Sequence, residues 1–157
     1  MKASYLLGVG LLSQFGNVAA VEKELPNIVF VLVDDMGIGD IGCYYSQPKI
    51  KTPHLDELAS ESLQFMQHYS GSTVSAPSRC SLLTGKHTGC GYVRGNKAVR
   101  NEEGVFDLHL PADEVTVAEL LKQKGYATMC VGKWGLGGPQ TTGSPVKKGF
   151  DYFFGYL

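Results

Sequence analysis

The segment Ser75-Ala76-Pro77-Ser78-Arg79-Cys80-Ser81-Leu82-Leu83-Thr84-Gly85 places a hydroxyl two residues before a proline and a guanidinium four residues after the hydroxyl. Proline suits the first turn of a helix, where its missing N–H would have no partner anyway, and Gly85 stands where a helix C-cap is expected. The spacing predicts a loop carrying Ser75 and then a short helix from about Pro77 to Thr84. Ser75 would face the helix N-terminus, where free backbone N–H groups and the macrodipole favour an anion. Arg79, one turn in, can offer a bidentate guanidinium to the same anion. Two further places could contribute. Asp34-Asp35 are adjacent carboxylates of the hard-oxygen type that suits calcium or magnesium rather than a thiolate metal. Lys133 lies among glycines, beside the only tryptophan, Trp134.

The elements that must position these groups alternate between apolar strands and amphipathic helices. Asn27 to Val33 is a continuous apolar run, rich in β-branched residues, and reads as a strand buried on both faces. Asp34 and Asp35 follow it directly, at the edge where open α/β sheets bind ligands. Thr52-Pro53 opens a helix, with Thr52 as N-cap, that runs through about Leu63. Gln64 to Tyr69 reads as a short strand leading to Ser75. Thr116 and Glu119 form a capping box for another helix, which ends at Gly125. Tyr126 to Val131 is then a strand that delivers Lys133 to its end. This alternation predicts an α/β layered fold with a largely parallel central sheet flanked by helices. The chain closes on the apolar, uncapped Phe153-Phe154-Gly155-Tyr156-Leu157, which reads as the interior of a longer enzyme.

With 157 residues, 43% hydrophobic, the length suits one domain, and the net charge of -1 gives no sign of a nucleic-acid partner. The 20 glycines cluster around 35–45, 85–95 and 132–143, in the connections where α/β proteins build sites. Residues 1–20 combine Lys2, an apolar stretch from Tyr5 to Leu12, and Val18-Ala19-Ala20. They read as a secretory signal peptide, too short for a membrane span, with the mature protein starting near Val21 and working in the periplasm or outside the cell. Residues 21–157 would then be the mature chain. The four cysteines, Cys43, Cys80, Cys90 and Cys130, show no C-x-x-C spacing, which argues against zinc. Export permits disulfides, with three pairings open, and Cys130 also reads as a buried thiol.

The Ser-x-Pro-x-Arg…Leu-Thr-Gly pattern resembles the sulfatase signature, in its serine-type form. The resemblance extends through Pro26 to Asp35 with Gly39-Asp40, Thr52 to Ala59, Thr116 to Thr128, Gly132-Lys133-Trp134 and Gly149-Phe150-Asp151 to Gly155. It runs in the family's order from about Pro26 to the last residue. It implies an alkaline-phosphatase-like fold and hydrolysis of sulfate monoesters, aryl or carbohydrate. Ser75 would be oxidised to formylglycine by a maturation enzyme, and Asp34, Asp35 and Ser75 would bind calcium, with magnesium as second candidate. Arg79 and Lys133 would contact the sulfate. The resemblance also makes residues 21–157 the N-terminal part of a catalytic domain; the family's remaining metal ligands belong to a later segment, so these 157 residues alone are expected to be inactive.

The implied chemistry is covalent. One hydroxyl of the formylglycine hydrate attacks sulfur and expels the alcohol, and deprotonation of the other ejects sulfate and restores the aldehyde. One position departs from the family: Gly135 stands where many sulfatases carry a histidine. His87 is the nearest histidine in sequence, and a structural or surface role suits it better; His54, His68 and His109 have no assigned role. Two alternatives remain beside sulfate-ester hydrolysis: a phosphodiesterase or phosphonate hydrolase of the same superfamily, and a non-catalytic protein that binds metal or glycan.

Overall fold

The computed structural model describes residues 25–157 except 97, 102 and 103. The signal-peptide segment, residues 1–20, lies outside the described residues. The chain divides into two compact units, Met1–Val33 and Asp34–Leu157.

In the first unit, residues 27–33 form no strand, and each large apolar side chain there is exposed, Val29 at 87%. The sequence predicts a doubly buried strand at this place. A strand exists only when another backbone meets its N–H and C=O groups, and among the described residues none pairs with this run.

The second unit carries α1 (Pro53–Ser60), α2 (Ser75–Thr84), β1 (Ala98–Asn101), β2 (Gly104–Asp107), α3 (Val117–Gln123), β3 (Met129–Lys133) and β4 (Tyr152–Tyr156). Short 3-10 turns lie at Ile38–Asp40 and Pro145–Lys148. β1 and β2 form an antiparallel hairpin, while β3 and β4 pair in parallel with Met129 opposite Tyr152 and Lys133 opposite Tyr156. The α/β class and the parallel pairing agree with the sequence reading. Residues 64–69 form no strand, and α1 ends at Ser60 rather than near Leu63.

Local chemistry accounts for the elements near the site. α3 begins with the expected reciprocal cap: Thr116 Oγ1 accepts from Glu119 N, and the Glu119 carboxylate accepts from Thr116 N at 2.8 Å. Thr52 precedes Pro53 as expected, but its hydroxyl does not cap α1. It donates to Asp56 Oδ1 and accepts from Gly42 N, and Asp56 also takes Cys43 N at 2.7 Å. The loop after Asp34-Asp35 is thereby fastened to α1. At the C-terminus of α2, Gly85 adopts the left-handed φ of 68° that a side chain would resist.

The core is a small cluster of Cys80, Val93, Leu110, Trp134 and Leu136, with Phe150 and Phe153 packed on it. Trp134 is 2% exposed, donates Nε1–H to Gly143 O at 2.8 Å, and meets Phe150 edge-on at 5.8 Å. It therefore anchors the end of β3 from inside rather than lining an open pocket. Lys148, equally buried, donates its ammonium to the carbonyls of Ala112 and Glu114 and ties the last turn to the segment before α3. All four cysteines are free thiols. Burial pushes the Cys130 thiol upward, and nearby Arg79 pulls it part of the way back.

Asp151 secures the start of β3. Its carboxylate accepts from the Thr128 amide at 3.0 Å, from the Thr128 hydroxyl at 3.1 Å, and from the Lys122 ammonium of α3. Lys122, and then the Thr128 donors, hold its pKa down to about 2 from 3.8. A depressed carboxylate adds stability above its unfolded pKa, and the contribution fades as pH falls through the folded value. Acid titration should therefore show stability dropping between pH 3.8 and about 2. In Asp151→Asn that component of the drop should vanish from the fluorescence-monitored curve. An unchanged curve would mean that this corner opens before the pH reaches the window.

Candidate active site

Arg79 is the hub of the site. It lies one helical turn after Ser75 on the same face of α2, so the (i, i+4) spacing brings the two side chains together. Its Nε–H donates to Ser75 Oγ at 2.9 Å, Nη1 donates to the Lys133 carbonyl at 2.7 Å, and Nη2 donates to Asp34 Oδ2 at 3.3 Å. The Lys133 ammonium reaches the same Asp34 oxygen at 3.3 Å. One planar guanidinium thus joins the hydroxyl, the end of β3 and the carboxylate that follows residue 33. The Arg79 side chain is 14% exposed, whereas Asp34 and Lys133 are 49% and 36% exposed. The hub is covered and the charged rim faces outward.

Four of the five residues singled out from sequence are brought together: Ser75, Arg79, Lys133 and Asp34. Asp35 is next in the chain and exposed, and among the described residues it makes no hydrogen bond to the other four. Its backbone has φ 61°, the only non-glycine residue in the left-handed region among the described residues. Aspartate tolerates that conformation better than most side chains, and such turns concentrate at functional sites. Asp40, by contrast, spends its carboxylate on Gly37 N in the neighbouring turn.

The helix start differs from the expectation. α2 begins at Ser75 itself, after Val74 in extended conformation, and Ser78 N already donates to Val74 O. The Ala76 amide donates to Asn96 Oδ1 at 3.0 Å, and Pro77 has no amide to offer. Most of the first-turn donors that could cradle an anion are thus occupied or missing. The positive charge beside Ser75 comes from the Arg79 side chain instead, and the Lys133 ammonium joins it through the shared Asp34 oxygen. Asn96 escaped the sequence reading because nothing in a loop twenty residues downstream marks it as a cap.

Among the described residues no group of three or more His, Cys, Asp or Glu side chains lies close enough to hold a metal ion. Asp34 and Asp35 supply hard oxygens on an exposed turn, and Asp34 is already drawing two cationic side chains to one oxygen. The donor chemistry fits calcium or magnesium, as one portion of a coordination shell. Gly135, the position that departs from the family pattern, has φ 69°, and a Cβ built there would meet no atom within 4 Å. The space beside Lys133 and Trp134 is open at that point.

The family model "Sulfatase" matches residues 26–157. The chain belongs to the sulfatase family. It is similar to human steryl-sulfatase (41% identical over 140 residues, 83% of this chain and 23% of the relative). It is also similar to rat N-acetylgalactosamine-6-sulfatase (41% over 159 residues, 99% and 30%). A third relative is mouse arylsulfatase G (43% over 130 residues, 83% and 23%). The chain therefore spans between about a quarter and a third of the length of these relatives. Among solved structures it resembles one described as "Metabolism of multiple glycosaminoglycans by bacteroides thetaiotaomicron is orchestrated by a versatile core genetic locus" (40% identical, TM-score 0.69, covering 83% of this chain and 28% of that one). Another is "Crystal structure of Ps i-CgsB in complex with k-i-k-neocarrahexaose" (32%, TM-score 0.66, 79% and 26%). The sulfatase, alkaline-phosphatase-like fold expected from the sequence is the fold of this chain. No helix among the described residues is long and apolar enough to cross a membrane.

Proposed function

We propose that this chain carries the nucleophile-bearing part of a sulfuric ester hydrolase that cleaves sulfate monoesters, aryl or carbohydrate, with Ser75 converted to formylglycine. The observation that carries this reading is the single guanidinium shared by Ser75 Oγ, the Lys133 carbonyl and Asp34. Such an arrangement orients one oxygen and sets a positive charge beside it, as transfer of an anionic group requires. The names of the relatives, steryl-sulfatase, arylsulfatase G and N-acetylgalactosamine-6-sulfatase, support the sulfate-ester class.

A plain serine would become an alkyl sulfate with no easy route back, whereas the hydrated aldehyde offers a second hydroxyl whose deprotonation expels sulfate. Arg79 uses three of its five N–H donors on the protein, which leaves two for oxygens of the transferring group. Lys133, at the rim, adds a second positive charge to the cluster. Asp34 keeps both cations in place and, with Asp35 and the oxygen of residue 75, would hold calcium or magnesium. A bound ion of that kind would act as a Lewis acid toward sulfate oxygens. The remaining ligands and the group that protonates the leaving alcohol belong to the rest of the protein. A formylglycine-generating enzyme and the export machinery are the implied partners, with the product working in the periplasm or outside the cell.

Maturation is directly measurable. The full-length protein, co-produced with a serine-type maturation system, should yield a Ser75 peptide lighter by two hydrogens in its mass spectrum. That species should release sulfate from an aryl sulfate, and faster than it releases phosphate from the matching phosphate ester. Full activity with an unmodified Ser75 would defeat the mechanism.

A further inference from the structure

The start of α2 is capped from outside. Val74, its N-cap residue, has no polar side chain, and no side-chain cap is made there. The Ala76 amide instead donates to Asn96 Oδ1 at 3.0 Å, across twenty positions of sequence. Asn96 is exposed, yet its loop is held firmly at several points. Cys90 and Gly91 donate their amides to His87 O at 2.8 Å, and Arg94 Nε donates to Gly91 O at 3.0 Å. Val93, 1% exposed, packs in the same cluster as Cys80 of α2. The loop therefore meets α2 at its middle, where a Cβ on Gly91 would lie 3.7 Å from Cys80 Sγ, and at its first turn through Asn96.

The Ala76 N–H lies in the peptide plane that follows Ser75 Cα, and Val74 O, which accepts from Ser78 N at 3.2 Å, lies in the plane that precedes it; with both planes held, the ψ of Ser75 and the direction of its Cα–Cβ bond are restricted. Arg79 holds Oγ from the other end at 2.9 Å. The hydroxyl-bearing residue is thus secured through its backbone by Asn96 and through its side chain by Arg79.

We propose that Asn96 is a positioning residue for the nucleophile: its carboxamide oxygen caps α2 at Ala76 and sets the orientation of residue 75. This inference rests on the reading of Ser75 as the reacting residue. The only part of Asn96 that it requires is the acceptor oxygen, so Asn96→Asp, which keeps an acceptor, should differ from Asn96→Ala.

The test uses matured full-length protein. Asn96→Ala should lower kcat toward an aryl sulfate by about ten- to a hundredfold while KM shifts by less than about threefold, the pattern of misplacement rather than lost binding. Asn96→Asp should bring kcat back to within about threefold of the parent while KM for the anionic ester rises, because a negative charge now sits nearby. Hydrogen exchange of the peptide covering Ser75–Thr84 should quicken in the alanine variant and return in the aspartate variant. Parental kcat or unchanged exchange in Asn96→Ala, or an aspartate variant as impaired as alanine, would overturn the proposal. If the matured parent releases no sulfate, the reading of Ser75 falls separately, and the exchange comparison alone decides for or against the cap.

Discussion

Ser75→Ala in the full-length protein is expected to lower sulfate release by at least about ten-thousand-fold, the scale seen when a covalent nucleophile is removed. The change is well isolated. Alanine is the best helix former, so the first position of α2 keeps its preference, and the Asn96 contact to the Ala76 backbone is untouched. Only the oxygen that accepts Arg79 Nε at 2.9 Å is lost. Losing that partner should cost about 1 kcal/mol, a shift of a few degrees in melting temperature. A large loss of turnover with a small loss of stability separates a chemical role from a structural one. If Ser75→Ala kept more than about a hundredth of the parental rate, the nucleophile would have to be sought elsewhere.

What could be read from the sequence here was what neighbouring residues decide between themselves. The capping box of Thr116 and Glu119 spans three positions and Gly85 answers to its own backbone; both are found as expected. What could not be read depends on partners far along the chain. Arg79 reaches Lys133 O over 54 positions and Ala76 meets Asn96 over 20, and no local pattern marks either contact. Thr52 shows the competition plainly: its sequence fits an N-cap, but the Asp56 carboxylate and the Gly42 amide claim its hydroxyl. Trp134 stands out in the sequence only as the neighbour of Lys133, and it joins the core because Phe150, Phe153 and the Gly143 carbonyl meet it there. Apolarity predicts the strand at residues 27–33, yet apolarity supplies no hydrogen-bond partners, and among the described residues the ladder is missing.

Replacing Arg79 should have the second-largest effect, and lysine should not substitute for it. The guanidinium serves three acceptors in three directions at 2.9, 2.7 and 3.3 Å. An ammonium carries the same charge but concentrates its donors at one point on a differently shaped side chain, so it cannot span Ser75, the Lys133 carbonyl and Asp34 together. Arg79→Ala is expected to lower kcat by about a hundred- to a thousandfold, the range for removing a donor from a charge-stabilising site. Because the side chain is 14% exposed, the alanine variant should also be less stable by about 1–3 kcal/mol, chiefly through the short bond to the Lys133 carbonyl. The Asp34 contact adds less, since that carboxylate is half exposed and keeps Lys133. Arg79→Lys should restore part of the stability but leave kcat at least about tenfold below the parent, because orientation of the Ser75 oxygen is lost even where charge is kept. Paired melts and saturation kinetics on matured full-length protein would check both changes. A lysine variant with parental kcat would show that net charge alone is required at this point, and the three-way geometry would then lose its place in the mechanism.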